Sequence, residues 1–311
     1  MVTATLLEND MIKRILLSGL LLFLPLTATA ELYVTIVQGL DGEVEYGEQF
    51  TMQTGQLVSA ATSITGKQRV TLLAGADSTR EKVLAHFDGL AKTLKAEDRF
   101  AVFMIGHGSY DGVEYKFNIA GPDLTDSDLL NIFQAQPAKL QILVNTSSSS
   151  GSLQDILKAD NRAVITATRN GEERLATRFG TYFANALEDS AADTNKNDAV
   201  SLQEAFEYAE RMVKDYFETQ SQLATEHPVM AEKQAAQFVL ARTSARPTQD
   251  ATPELVALVK QREELDINIE QLQLRKNELA PDEYMNQLQQ LMIELSVVQD
   301  RIDQQEKAGS E

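Results

Sequence analysis

Short apolar runs rich in β-branched residues alternate along the chain with stretches of helical periodicity. LYVTIV (Leu32 to Val37) predicts a first strand, Glu48 to Ser63 a helix and QRVTLL (Gln68 to Leu73) a second strand. In Ser78 to Leu94, Val83, Leu84, Phe87, Leu90 and Leu94 fall three and four apart, behind a capping box of Ser78 and Glu81. His86 lies off that stripe, which predicts a solvated side chain. Arg99 to Ile105 predicts a third strand, followed by a hairpin over Gly112 to Ile119 and a helix over Thr125 to Phe133, capped by Thr125 with Asp128. Further strands are expected over Gln141 to Val144 and Arg162 to Thr168, with a helix near Arg178 to Leu187. This alternation predicts an α/β fold: a mostly parallel sheet covered by helices on both faces. Tyr208, Met212, Tyr216 and Phe217 follow at helical spacing and are expected in the core.

The pattern changes after Thr243 to Pro253 (TSARPTQDATP), which reads as a linker between an α/β domain over residues 31–242 and a helical segment over 254–308. Leu258, Leu265, Leu272 and Leu279 recur every seven residues, with Leu255 and Ile269 at companion positions. Ala280-Pro281-Asp282-Glu283 breaks and restarts the run with proline in the first turn. Tyr284, Leu291 and Val298 then alternate with Leu288, Leu295 and Ile302. Two heptad segments around a short break predict a helical hairpin or coiled coil. Arg262 and Lys276 interrupt the first seam and favour a hairpin folded on itself over a long continuous dimer.

Residues 1–30 read as a signal peptide. Lys13 and Arg14 precede the apolar run Ile15 to Leu26, and Ala28-Thr29-Ala30 is a small-residue cleavage site. Met11 is the expected start, and the mature chain is expected to be exported, periplasmic or secreted. With no cysteine there is neither a lipid attachment site nor a disulfide, so no stable membrane anchor is expected after cleavage. Two acids and two bases leave with the leader, so the net charge stays at −18. Such a surface repels nucleic acid and anionic membranes and suits cationic partners or a divalent metal.

Two strands end in chemistry. FAVFMIGHGSYDG (Phe100 to Gly112) ends at His107-Gly108, and QILVNTSSSSG (Gln141 to Gly151) ends in a serine run before a helix. In α/β folds, side chains at the carboxyl ends of strands form the ligand edge of the sheet. The two motifs, in this order and some 40 residues apart, resemble the caspase–legumain superfamily of cysteine endopeptidases, especially bacterial legumain-like proteins, over about Leu32 to Ala241. The resemblance implies a caspase/legumain-like fold, with His107 as the base and Ser148 at the place of the nucleophilic cysteine. The four serines allow Ser147 to stand there instead. Gly108, Asn145, Ser147, Gly151 and Arg169 are expected around the cleft, with a solvated Arg169 the other option.

A thiol ionises readily beside histidine; a hydroxyl does not and needs an oriented base with an acid behind it. No third group is apparent in the sequence around His107. The expected function is therefore a catalytically inactive peptidase homologue that binds a peptide or protein partner. The alternatives are a serine-converted peptidase using Ser148 and His107, and a scaffold acting through the C-terminal helices, with oligomerisation through them. A separate constellation, Asp193, Asn195, Asn197, Ser201 and Glu204, matches positions 1, 3, 5, 9 and 12 of an EF-hand loop, with Val200 at position 8. It predicts a structural Ca²⁺ site, although Asp198 replaces the usual glycine. The competing reading is a polar turn before a helix capped by Ser201 and Glu204.

Overall fold

A computed structural model describes residues 30–230, 238–242, 252–276 and 278–309. The leader expected over residues 1–30 and the linker lie outside the described residues, apart from Ala30 and the linker's last two positions, Thr252 and Pro253. The strands, in chain order, are β1 (Leu32–Gln38), β2 (Val70–Leu73), β3 (Arg99–Ile105), β4 (Gly108–Tyr110), β5 (Tyr115–Phe117) and β6 (Leu124–Thr125). They continue with β7 (Leu140–Asn145), β8 (Arg162–Thr166), β9 (Ala199–Ser201), β10 (Val229–Met230) and β11 (Val239–Arg242). The main sheet has the order β10-β8-β7-β3-β1-β2 and is parallel except for β10 at its edge. Strands β4, β5 and β6 form a small antiparallel sheet, and β9 pairs with β11.

Alternation along the central strands builds two cores. In β3, Ala101, Phe103 and Ile105 face one layer, while Phe100, Val102 and Met104 face the other. The first layer comprises α1 (Val44–Thr65), α5 (Phe179–Ala186) and α6 (Leu202–Thr219), which bring Phe50, Phe183 and Phe206 onto the sheet. The second comprises α2 (Arg80–Ala91), α3 (Asp126–Ala135) and the short α4 (Leu153–Ile156), with Phe87, Phe133 and Leu153.

Local signals mostly operate as expected. Thr125 with Asp128 and Ser201 with Glu204 both close capping boxes, and Asp128 also takes a two-pronged ion pair from Arg80. Helix α1 starts at Val44, four residues ahead of the expectation, because Gly47 in its first turn hides the onset in the sequence. The cap of α2 is Thr79 and not Ser78, which is buried. His86 is half-buried, meets Thr35 Oγ1 at 2.9 Å and packs edge-on against Phe87; burial lowers its pKa. It is therefore not the solvated residue that its off-stripe position predicts.

Thr252 caps α7 (Pro253–Leu274), and Pro281 opens α8 (Pro281–Gly309). The two helices pack on each other as a hairpin through Leu258, Leu265, Val298 and Ile302. Arg262 sits buried in that seam, with Nη1 3.4 Å from Gln299 Oε1. Among the described residues, no helix is long and apolar enough to cross a membrane.

Candidate functional site

Adjacent strands β3 and β7 deliver His107 and Ser148 to one narrow cleft of about 10 Å³, room for about one water. The imidazole is held edge-on by Tyr46 and Phe50 of α1, at ring-centroid distances of 4.7 and 5.2 Å. Its Nε2–H donates to the Asp41 carbonyl at 3.1 Å, which leaves the Nδ1 lone pair as the basic site of the neutral ring. The group behind the histidine is thus a backbone carbonyl. Ser148 Oγ donates to the Gly108 carbonyl at 2.9 Å, so the hydroxyl is tied to the other motif's backbone and not to the imidazole. Gly108 has to be glycine for this contact, since a Cβ there would meet Ser147 Oγ at 2.5 Å and Ser148 O at 2.6 Å.

Ser147, Asn145 and Gly151, expected around the cleft, lie beneath it instead. Ser147 and Asn145 are wholly buried and form a closed ring with Tyr115. Ser147 Oγ–H donates to Asn145 Oδ1 at 2.8 Å, and Asn145 Nδ2 donates to the Tyr115 hydroxyl at 2.8 Å. That leaves the Tyr115 O–H to donate to Ser147 Oγ, 2.7 Å away. Burial pushes the Tyr115 pKa up to about 12, so the phenol stays a neutral donor. Gly151 is packed under the backbone of Thr168 to Asn170 and donates its amide to Thr168 Oγ1 at 2.8 Å. Ser149, between them, takes a left-handed φ of 58°.

Arg169 pairs with Glu173 at 3.0 Å, is largely exposed, and does not line the His107–Ser148 cleft. Glu173 is the fastener here. Its carbonyl accepts the Ser149 amide at 2.8 Å, and its carboxylate accepts His227 Nδ1 at 2.6 Å. Next to His227, the buried Glu226 carboxylate accepts the Arg178 and Phe179 amides at 2.7 and 3.1 Å, at the start of α5. Burial pushes its pKa up to about 7 against the pull of those amides and of Arg178. None of these contacts has a signal in the sequence, except that Tyr46 and Phe50 stand four apart on one helix face.

The loop before α6 is built from its own side chains. Asp193 accepts the Asn197 and Asp198 amides at 3.1 and 2.9 Å, and Lys196 and Asp198 both take φ 59°. Asp198 therefore adopts the left-handed conformation at its glycine position. Val200 is drawn into β9 opposite Ala241. The Glu204 carboxylate accepts Thr194 N, Ser201 N and Ser201 Oγ at 3.0, 3.0 and 2.9 Å. Among the described residues, no three His, Cys, Asp or Glu side chains gather as a metal cluster. The donor set at this loop would be two carboxylates, Asp193 and Glu204, with amide and hydroxyl oxygens.

This strand order, with its paired motifs at the ends of the two central strands, defines a caspase-like α/β protein. The Peptidase C13 profile matches residues 59–240, and the chain belongs to that family, the legumain family. No curated protein matches the chain. Among solved structures it is similar to protein GSU0716 from Geobacter sulfurreducens, at 13% identity and a TM-score of 0.46, over 69% of this chain and 100% of that one.

Proposed function

We propose that this legumain-family homologue is a non-catalytic, exported binding protein that takes a peptide or a segment of a protein partner over the surface around the His107–Ser148 cleft. The observation that carries this reading is the pairing at the cleft: Ser148 Oγ is bonded to the Gly108 carbonyl, and His107 is backed by the neutral Asp41 carbonyl. A carbonyl fixes the tautomer but cannot offset the charge of an imidazolium as a carboxylate does. A hydroxyl nucleophile depends on that support far more than a thiol. Asp41 and Glu48 line a separate surface hollow, next to the cleft through the Asp41 carbonyl on His107, and the chain has no Lys, Arg or His from Glu31 to Gly66, which suits a partner with a basic side chain.

The test is cleavage of a diverse peptide library by residues 31–311 with calcium present, beside Ser148→Ala, Ser147→Ala and His107→Ala. The expected result is no cleavage above the variants, with basic peptides retained and released by Glu48→Lys. Cleavage lost in both the Ser148 and His107 variants would instead make this a serine peptidase, the reading that the shared cleft and the open Nδ1 favour.

The Asp193–Glu204 loop is proposed to hold a structural Ca²⁺. Its support is the all-oxygen donor set and the left-handed backbone of Asp198 at the position where such loops place glycine. With only two carboxylates the affinity would be low, in a range that an exported protein meets. Calcium should raise the melting temperature by several degrees over chelator, and Glu204→Gln should remove the difference. Identical wild-type melts would exclude the site.

A further inference from the structure

Residues 172–178, between Gly171 and Phe179, form a strap over the serine loop and bury none of their side chains. Ala176 and Thr177 of this strap line one wall of the His107–Ser148 cleft. A segment without an apolar anchor stays in place only through its polar ties. The Thr177 hydroxyl donates to the Thr146 carbonyl, and the Arg178 guanidinium lies over the Tyr216 ring of α6, 3.7 Å from its centroid. Among the described residues, the remaining ties to the rest of the domain run through Glu173 and Glu226. Glu173 accepts the His227 amide at 3.0 Å and His227 Nδ1 at 2.6 Å, while its carbonyl holds the Ser149 amide. Glu226 accepts the Arg178 amide at the strap's end.

The loop beneath is poised to move. Ser149 is buried in a left-handed conformation, and its hydroxyl has no hydrogen-bond partner among the described residues. The cleft has room for about one water, so a side chain enters only if a wall moves. Phe50 anchors the α1 wall in the core; the strap has no such anchor.

The ties are titratable. Arg169 pairs with Glu173, and Arg178 and Tyr182 of α5 face Glu226. Both arginines keep their charge across the physiological range, and the Tyr182 phenol, raised by burial, stays neutral. The groups that change are the buried Glu226 and His227, a residue type that switches charge near neutrality. Deprotonation leaves a second carboxylate beside Glu173 and strips the Glu173–His227 pair of its cation.

We infer that the 172–178 strap is a lid on the cleft, latched by Glu173, Glu226 and His227 in acid and released as the pH rises to neutral. Latched, Glu226 keeps its proton up to about pH 7; freed into water, it gives the proton up near its ordinary 4.5. Release therefore expels a proton in that window, and the opening constant rises by up to about tenfold per pH unit across it. The gain in side-chain access rests on the binding function proposed above, whereas the latch is read without any ligand, so either can fail alone.

Because the chain contains no cysteine, Leu175→Cys, at a strap position 61% exposed, carries a single spin label whose mobility reports the strap. Electron paramagnetic resonance of residues 31–311 between about pH 4.5 and pH 7.5 should show the mobile fraction rising with pH. Glu226→Gln should shrink the rise, Glu226→Gln with His227→Gln should abolish it, and Glu173→Gln should leave the label mobile throughout. A label at Leu72→Cys, on β2 at the far edge of the sheet, should not change, and circular dichroism should show every variant folded. A Leu175→Cys label indifferent to pH, a rise that survives the double variant, or an equal change at residue 72 would overturn the inference.

Discussion

Replacing Tyr115 with Phe removes one oxygen from the closed ring beneath the serine loop and should destabilise the domain out of proportion to that atom. The hydroxyl accepts from Asn145 Nδ2 at 2.8 Å and donates to Ser147 Oγ at 2.7 Å, with all three residues fully buried. Without it, the Asn145 amide hydrogen faces only Met104 Sδ, 3.9 Å away, a weak acceptor. Losing two hydrogen bonds and stranding a buried donor costs about 2–3 kcal/mol, or roughly 5–10 °C in melting temperature for a domain of this size. Ser147→Ala breaks the same ring at another member, leaving the tyrosine hydroxyl without its acceptor, and should cost a similar amount. Once one variant has opened the ring, the second loses less, so the double variant should be more stable than additivity predicts by about 1 kcal/mol. Urea unfolding of the four proteins measures this cycle. Strict additivity, or a Tyr115→Phe protein within about 0.5 kcal/mol of wild type, would refute the closed ring.

Gly151→Ala should cost about 2–3 kcal/mol in urea unfolding, since its methyl would strike the Thr168, Arg169 and Asn170 backbone, which cannot rotate away. Glu226 gives a pH dependence. Its folded pKa of about 7 lies above the ordinary 4.5, so the native state holds the proton more tightly than the unfolded chain. That contribution is complete below about pH 4.5 and is lost as pH rises to about 7, a fall of roughly 3 kcal/mol. Stability measured from pH 4 to 8 should show this slope in wild type relative to Glu226→Gln; parallel curves would count against it.

The sheet was legible in the sequence because strands buried on both faces must be continuously apolar, as FAVFMI and QILV are. The hairpin was legible because Leu258 and Leu265, like Leu291 and Val298, keep the seven-residue spacing. The two motifs of the cleft could be read because their side chains name themselves. Their supports could not. The atom behind His107 is a carbonyl, which every residue has, and only the path of the chain after β1 selects Asp41. Tyr115 reaches Ser147 from 32 positions away, and Glu173 reaches His227 from 54. His86 was misread for a related reason: helical periodicity reports the most buried stripe, not the flank that meets Thr35.

The cleft draws its two motif residues from neighbouring parallel strands, β3 and β7, separated in the chain by the whole β4–α3 excursion. Parallel strands cannot pair through a local turn, so the ladder between them closes only after that excursion has packed. Partly folded chains therefore carry both motifs but no cleft. The binding surface proposed above would therefore form only after this slow non-local pairing is complete, and folding intermediates would not present it.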